Sequence, residues 1–222
     1  GTFVRKGFMN VEFNCGSLMI ITAVDGSEWS VSGTDSEGRG PRIRASENTV
    51  TIEGTDESTF FADGGRANWM VSVPRTPGTG LGVTLNAGDG TADLAGAFLM
   101  SVNLTVNAGS FRLLLDGAAG LGDVNATVNA GSATIRLPAG DRSANLSLNA
   151  GDLDVCLPAG AAVRVHWSGA LGSNDLDEAG LTEVGDDTWV STGFDQTQPH
   201  LELRVSANAS SFGLAIGGAC DA

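Results

Sequence analysis

Long apolar runs are missing from this chain of 222 residues. The nearest candidate, CGSLMIITAV at 15–24, is interrupted and far short of the 18 or more consecutive apolar residues that a membrane helix needs. Positive charge is scarce as well. Twelve Lys and Arg face 26 Asp and Glu, for a formal net charge of −14, and Lys6 stands alone among the lysines. Such a balance argues against nucleic acid and against anionic lipid as partners, because both would be repelled. Cysteine is limited to Cys15, Cys156 and Cys220, with no CxxC spacing, so neither a structural zinc site nor a disulfide framework is indicated. One pair and one free thiol fit that number, and the sequence leaves open which, if any, pair forms. Only His166 and His200 offer imidazole, and neither lies in a recognisable nucleophile motif. No initiator Met or secretory leader is visible, which fits a trimmed or processed form.

What is abundant is glycine, with 32 residues, inside a chain that is 41% hydrophobic and therefore apolar enough to fold. The tetrapeptide Val106-Asn107-Ala108-Gly109 has close relatives along the chain. Asn86, Asn107, Asn129 and Asn149 are spaced 21, 22 and 20 residues apart. A period of that size means stacked units. Two residues before each Asn is a hydroxyl residue (Thr84, Thr105, Thr127, Ser147), and two before that comes Gly82, Asn103, Asn125 or Asn145. Apolar residues alternate between them, so each segment is a strand with one apolar and one polar face. A second strand follows each Gly, with inward Phe111, Leu113 and Leu115 in one unit, Ala133, Ile135 and Leu137 in the next, and Leu153, Val155 and Leu157 in the third.

A unit of about 20 residues has no room for a crossover helix, and hairpins would not keep one residue type at one place in every unit. The expected fold is an all-β, right-handed parallel β-solenoid with turns of about 20–22 residues, eight to ten in number, and no significant α-helix. Identical side chains then lie over one another, so the asparagines can form an amide ladder as in cross-β assemblies. Asn86, Asn107, Asn129 and Asn149 are its rungs, and Asn208 in LRVSANASSFGLAI is a fifth. This makes Asn-Ala-Gly a structural device rather than a ligand motif. VEFNCGSLMIIT at 11–22 also matches, with Cys15 in the Ala column, read as a small inward slot. The whole of 1–222 reads as one domain: less regular turns over 1–78, regular repeats over 79–165, further turns over 166–217 and a tail at 218–222. Strands are expected at EWSVSG, RIRAS, TVTIEG and NWMVSVP, and Trp29, Trp69, Trp167 and Trp189 are expected to plug the two ends.

The run NWMVSVP…GLGVTLNAGDGTADLAG…NLTVNAGSFRLLL…NATVNAGSATIRLP…NLSLNAGDLDVCLPAGAAVRVHWS…LGS resembles bacterial toast-rack and "putative adhesin" domains of unknown function. It is similar also to the C-terminal domain of cell-wall-active-antibiotic response proteins. The likeness covers about 11–216 and is best over 68–173, with Asn-Ala-Gly where those families more often carry Gly-Ala-Gly or Ser-Gly. What the resemblance implies is a β-solenoid of the bacterial cell envelope, outside the cytoplasm and often behind a transmembrane anchor. It implies no catalytic residues.

Asp93, Arg112, Arg136 and Asp154 read as one outward column of alternating charge, the pattern of cross-strand pairing rather than of catalysis. His166 has outward parity in VRVHW and reads as a surface histidine. The acidic turns SNDLDEAG (173–180) and GDD (185–187) fit neither the EF-hand loop nor the calcium β-roll nonapeptide. Sequons at Asn103, Asn125, Asn145 and Asn208 are largely by-products of the Asn-x-Thr/Ser pattern. No catalytic, cofactor or metal residue is assigned. The candidate contact surfaces are the loop carrying Phe60 and Phe61, and the flat Asn/Thr face. The function expected is a non-enzymatic envelope domain, a rigid solenoid for contact with a protein or cell-wall partner in adhesion, structure or stress sensing. The alternatives are a carbohydrate-binding or carbohydrate-active β-helix protein and a calcium-dependent adhesin.

Overall fold

A computed structural model describes residues 1–24, 26–54, 66–169 and 171–217. Among these residues there is no helix, and so none long and apolar enough to cross a membrane. The strands are β1 (Gly7–Phe13), β2 (Gly16–Thr22), β3 (Ser30–Thr34), β4 (Arg42–Ala45), β5 (Thr49–Glu53), β6 (Ala67–Val73), β7 (Thr79–Leu85) and β8 (Asp89–Asp93). They continue as β9 (Phe98–Val106), β10 (Ser110–Leu114), β11 (Gly120–Arg136), β12 (Arg142–Leu157), β13 (Val163–Gly169), β14 (Ser173–Asn174), β15 (Leu181–Gly185), β16 (Thr188–Ser191) and β17 (Leu201–Ile216). All seventeen belong to one large, curled, mixed sheet.

Most pairings are parallel and join residues of like type. Asn103, Asn125 and Asn145 are direct partners across β9, β11 and β12, as are Thr105, Thr127 and Ser147. Each repeat contributes a strand before its Asn-Ala-Gly corner and one after it. Following the pairings gives eight two-strand layers in the order β5/β6, β1/β2, β7/β8, β9/β10, β11, β12, β17, β13/β14. Spatial order therefore departs from chain order at both ends. The first repeat lies between β5/β6 and β7/β8, and the last, β17, lies between β12 and β13/β14. Antiparallel β3 and β4 border one end of the stack, and β16 with β15 the other, covering edges that would otherwise invite pairing with another chain.

The inward columns of both strands in each layer form one core. Val83, Leu104, Ala126, Leu146 and Val205 are buried on the first strands, and Phe111, Leu113, Ile135, Val155 and Leu214 on the second. Tryptophans occupy the outer layers as expected. Trp69 on β6 is buried, edge-on to Phe13 at 5.0 Å, while Trp167 on β13 packs 6.0 Å from Phe212 and Trp189 on β16 lies against the same core.

At the corner, Gly109 and Gly131 have φ of 104° and 130°, in the range that side chains other than glycine's avoid. A Cβ on Gly131 would run into the backbone oxygen of Gly109 in the neighbouring layer, so glycine is required for both angle and space. The corner corrects one expectation. Ala108, Ala130 and Ala150 are exposed rather than inward, and Cys15 in their column is an exposed free thiol. Period-2 parity lapses through the bend, where Ala and Gly both turn outward after the Asn. Cys156 is disulfide-bonded, and Cys220, the remaining cysteine of the sequence, lies outside the described residues.

Candidate functional site

The asparagine column is continuous over six layers. Asn208 donates to Asn149 (2.9 Å), Asn149 to Asn129 (2.7 Å), Asn129 to Asn107 (2.7 Å), Asn107 to Asn86 (2.7 Å) and Asn86 to Asn14 (2.9 Å), each from Nδ2 to Oδ1. Asn14 is an extra rung, named by its place just before Cys15 in the first repeat. A second, parallel ladder runs from Asn145 to Asn125 to Asn103, both bonds 3.0 Å. With Asn208 in the first ladder, the amides of all four sequons are thus engaged in the same kind of bond. Between the two ladders lies a column of hydroxyls: Thr84, Thr105, Thr127, Ser147, Ser206 and Ser168.

Toward the end of this face, over β11, β12, β17 and β13, opens a groove with a volume of about 500 Å³. One column lining it reads Asn125, Asn145, Arg204, His166, and the next Thr127, Ser147, Ser206, Ser168, with Trp167 beside them. It offers amide and hydroxyl groups that can both donate and accept, together with one guanidinium and one imidazole.

The groove ends at a basic cluster. Glu202 is surrounded by His166 Nε2 (2.7 Å), His200 Nε2 (3.6 Å), Arg204 (3.6 Å) and Arg164 (3.9 Å). His166 also bonds Thr188 Oγ1 at 3.1 Å, tying β13 to β16, and Arg164 lies over the Phe194 ring at 4.8 Å. Both histidines of this acidic chain therefore meet two arginines around one carboxylate. His166 is more than the surface histidine that parity suggested. Its signal in the sequence is period-2 charge, Arg164-x-His166 and His200-x-Glu202-x-Arg204, on two strands that become neighbours only because β17 enters beside β13.

Other expected residues fall elsewhere. Asp93 pairs with Leu114, and Leu114 with Arg136, whereas Arg112 pairs with Thr134, and Thr134 with Asp154. The four charges thus occupy two columns with a neutral residue between each pair, which corrects the single alternating column. Asp154 gathers instead with Asp175 and Asp152. Burial raises its carboxyl above the ordinary range, and the charges of Asp175 and Asp152 push it the same way. The turn at 185–187 closes the β15–β16 hairpin, with Asp186 and Asp187 at φ 49° and 55°. Among the described residues no group of three or more His, Cys, Asp or Glu is placed to hold a metal ion. Phe60 and Phe61 lie outside the described residues.

No family model matches this chain, and no curated protein matches it in sequence. Solved structures do. The crystal structure of a "putative cell adhesion protein" from Clostridium sporogenes superposes with a TM-score of 0.64 at 14% identity, covering 97% of this chain and 94% of that one. That likeness shows a shared fold over nearly the whole length of both. A "putative adhesin" from Bacteroides fragilis aligns over 96% of this chain and 94% of its own at 10% identity, with a TM-score of 0.34.

Proposed function

We propose that this chain is a non-enzymatic domain of the bacterial cell envelope that presents its Asn/Thr/Ser face as a rigid surface for adhesion. The observation that carries the reading is the pair of amide ladders with a hydroxyl column between them, opening into a groove. Six hydrogen-bonded asparagines hold the outward groups at fixed spacing, so little conformational entropy remains to be lost when a partner binds. The printed description of the Clostridium sporogenes protein supports the adhesive role, and the resemblance to toast-rack domains supports the envelope. In this reading the curled sheet winds as a right-handed parallel solenoid. The one-to-one parallel register from layer to layer supports the winding, and the strong preference of parallel crossovers supports the hand.

The test has two arms. Protease treatment of intact cells of the source bacterium should degrade the native protein while sparing cytosolic markers. The purified chain should sediment with isolated cell walls, and Ser147→Trp, which fills the groove without entering the core, should release it. Recovery of the protein solely in the cytosol contradicts the proposal. So does turnover of a glycan that Asp93→Asn or Asp154→Asn abolishes.

A further inference from the structure

We infer that the groove over β11, β12, β17 and β13 binds a short oligosaccharide carrying one carboxylate at its end, with Arg204 as the residue that receives the acid. This rests on the adhesive reading of the same face and names the chemistry of its ligand.

Three observations converge. The first is the repeat of the lining groups. Hydroxyl follows hydroxyl over four layers at the interstrand spacing of about 4.8 Å, a row about 14 Å long, with the amides of Asn125 and Asn145 beside its first two members. A glycan has the matching character, a chain of rings of similar pitch whose hydroxyls each donate and accept. The second is the floor of the groove, whose surface between these groups is mostly apolar, of the kind that sugar C–H faces pack against.

The third observation is charge. The chain carries −14 overall, yet both histidines and two arginines meet at this end of the groove against the single carboxylate of Glu202. Glu202 does not saturate them. Its contacts to Arg204 and Arg164 are 3.6 and 3.9 Å, longer than a charge-assisted hydrogen bond, and the Arg204 side chain remains 57% exposed at the groove. A carboxylate entering along the hydroxyl row meets Arg204 with a free edge for bidentate contact. The surrounding negative charge sets the limit: one acid is matched locally, whereas a polyanion is repelled by the rest of the molecule.

Titration calorimetry decides the matter with matched tetrasaccharides built on glucose, galactose and N-acetylglucosamine, each in a neutral form and in a form ending in a uronic acid. For at least one backbone the acid-ended form should bind about tenfold more tightly than its neutral counterpart. Arg204→Ala should erase that difference, so that the variant binds the two forms alike, and Arg204→Lys should restore part of it. Polygalacturonate should bind no better than the single acid. Arg204 is exposed and makes only a long ion pair, so its variants should keep the fold, which circular dichroism checks. Equal affinity for neutral and acid-ended forms overturns the inference, as does a preference that survives Arg204→Ala. Absence of binding by every saccharide overturns it too, as does an acidic tetrapeptide binding as tightly as the best of them. In each case cell-wall sedimentation that Ser147→Trp abolishes would leave the envelope reading standing.

Discussion

Each asparagine inside the main ladder gives one hydrogen bond and receives another, whereas those at its ends do only one of the two. Position along the ladder therefore sets the cost of removal. Asn107→Ala strands the Oδ1 of Asn86 and the Nδ2 of Asn129 together and should cost about 1–2 kcal/mol in urea unfolding. Asn208→Ala strands the Oδ1 of Asn149 alone and should cost roughly half as much. Equal losses would mean that the bonds are incidental to stability. Asp154 makes a residue-scale prediction in pH. Gly213 opposite it lacks the Cβ that would fill the space, and the Asp175 and Asp152 carboxylates close in. The folded chain consequently holds the Asp154 proton more tightly than the unfolded chain does. That contribution to stability is complete below the ordinary carboxylate pKa and is lost as pH rises through the raised one. Asp154→Asn should thus raise the urea midpoint near neutral pH, and the advantage should fade as the solution is acidified. An advantage that grows in acid would reverse the sign of this account.

Among the elements, β17 has the most consequential place. It pairs with β12 over its whole length on one side and with β13 and β14 on the other, joining residues 59 apart in sequence, such as Asn149 and Asn208. In a simple serial stack, removing the last repeat would strip a cap and leave the rest intact. Here removal of residues 201–222 takes out an interior layer. The truncated chain should unfold at lower urea than the whole chain and should be cut by trypsin at Arg164, which β17 otherwise holds in register. A truncated chain with an unchanged midpoint and an uncut Arg164 would show that β13 docks directly on β12. The sequence makes the layers legible and leaves their order hidden. Thr105, Thr127 and Ser147 declare a common column because stacking rewards like over like. The motif LRVSANASSFGLAI looks the same whichever layers it lies between. The basic cluster at Glu202 was hidden for the same reason, since Arg164 and Arg204 become neighbours only through that insertion. The corner was misread for a different reason. Alternation carries no information through a bend, so counting placed Cys15 and Ala108 inside when both face out. The edge strands β3, β4 and β16 obey no repeat; local alternation announced β3 and β4, whereas β16 was not anticipated.

At the scale of the molecule, eight parallel-paired layers make one core with a broad polar face. Two of the chain's twelve Lys and Arg residues, Arg164 and Arg204, meet both histidines at one end of that face, around Glu202. Sequence-distant partners at both ends tie the stack together, which favours slow, cooperative folding over repeat-by-repeat assembly. The face can act as a fixed template only if the asparagines truly lie over one another in this order, with the sixth rung, Asn208, against the fifth. Solution NMR of the chain labelled with nitrogen-15 and carbon-13 tests this through scalar couplings across side-chain hydrogen bonds. The account predicts a coupling from the Asn208 side-chain nitrogen to the Asn149 carboxamide carbon, and from Asn86 to Asn14. Backbone couplings seen between β12 and β13, with Asn208 coupled to no asparagine, would contradict it.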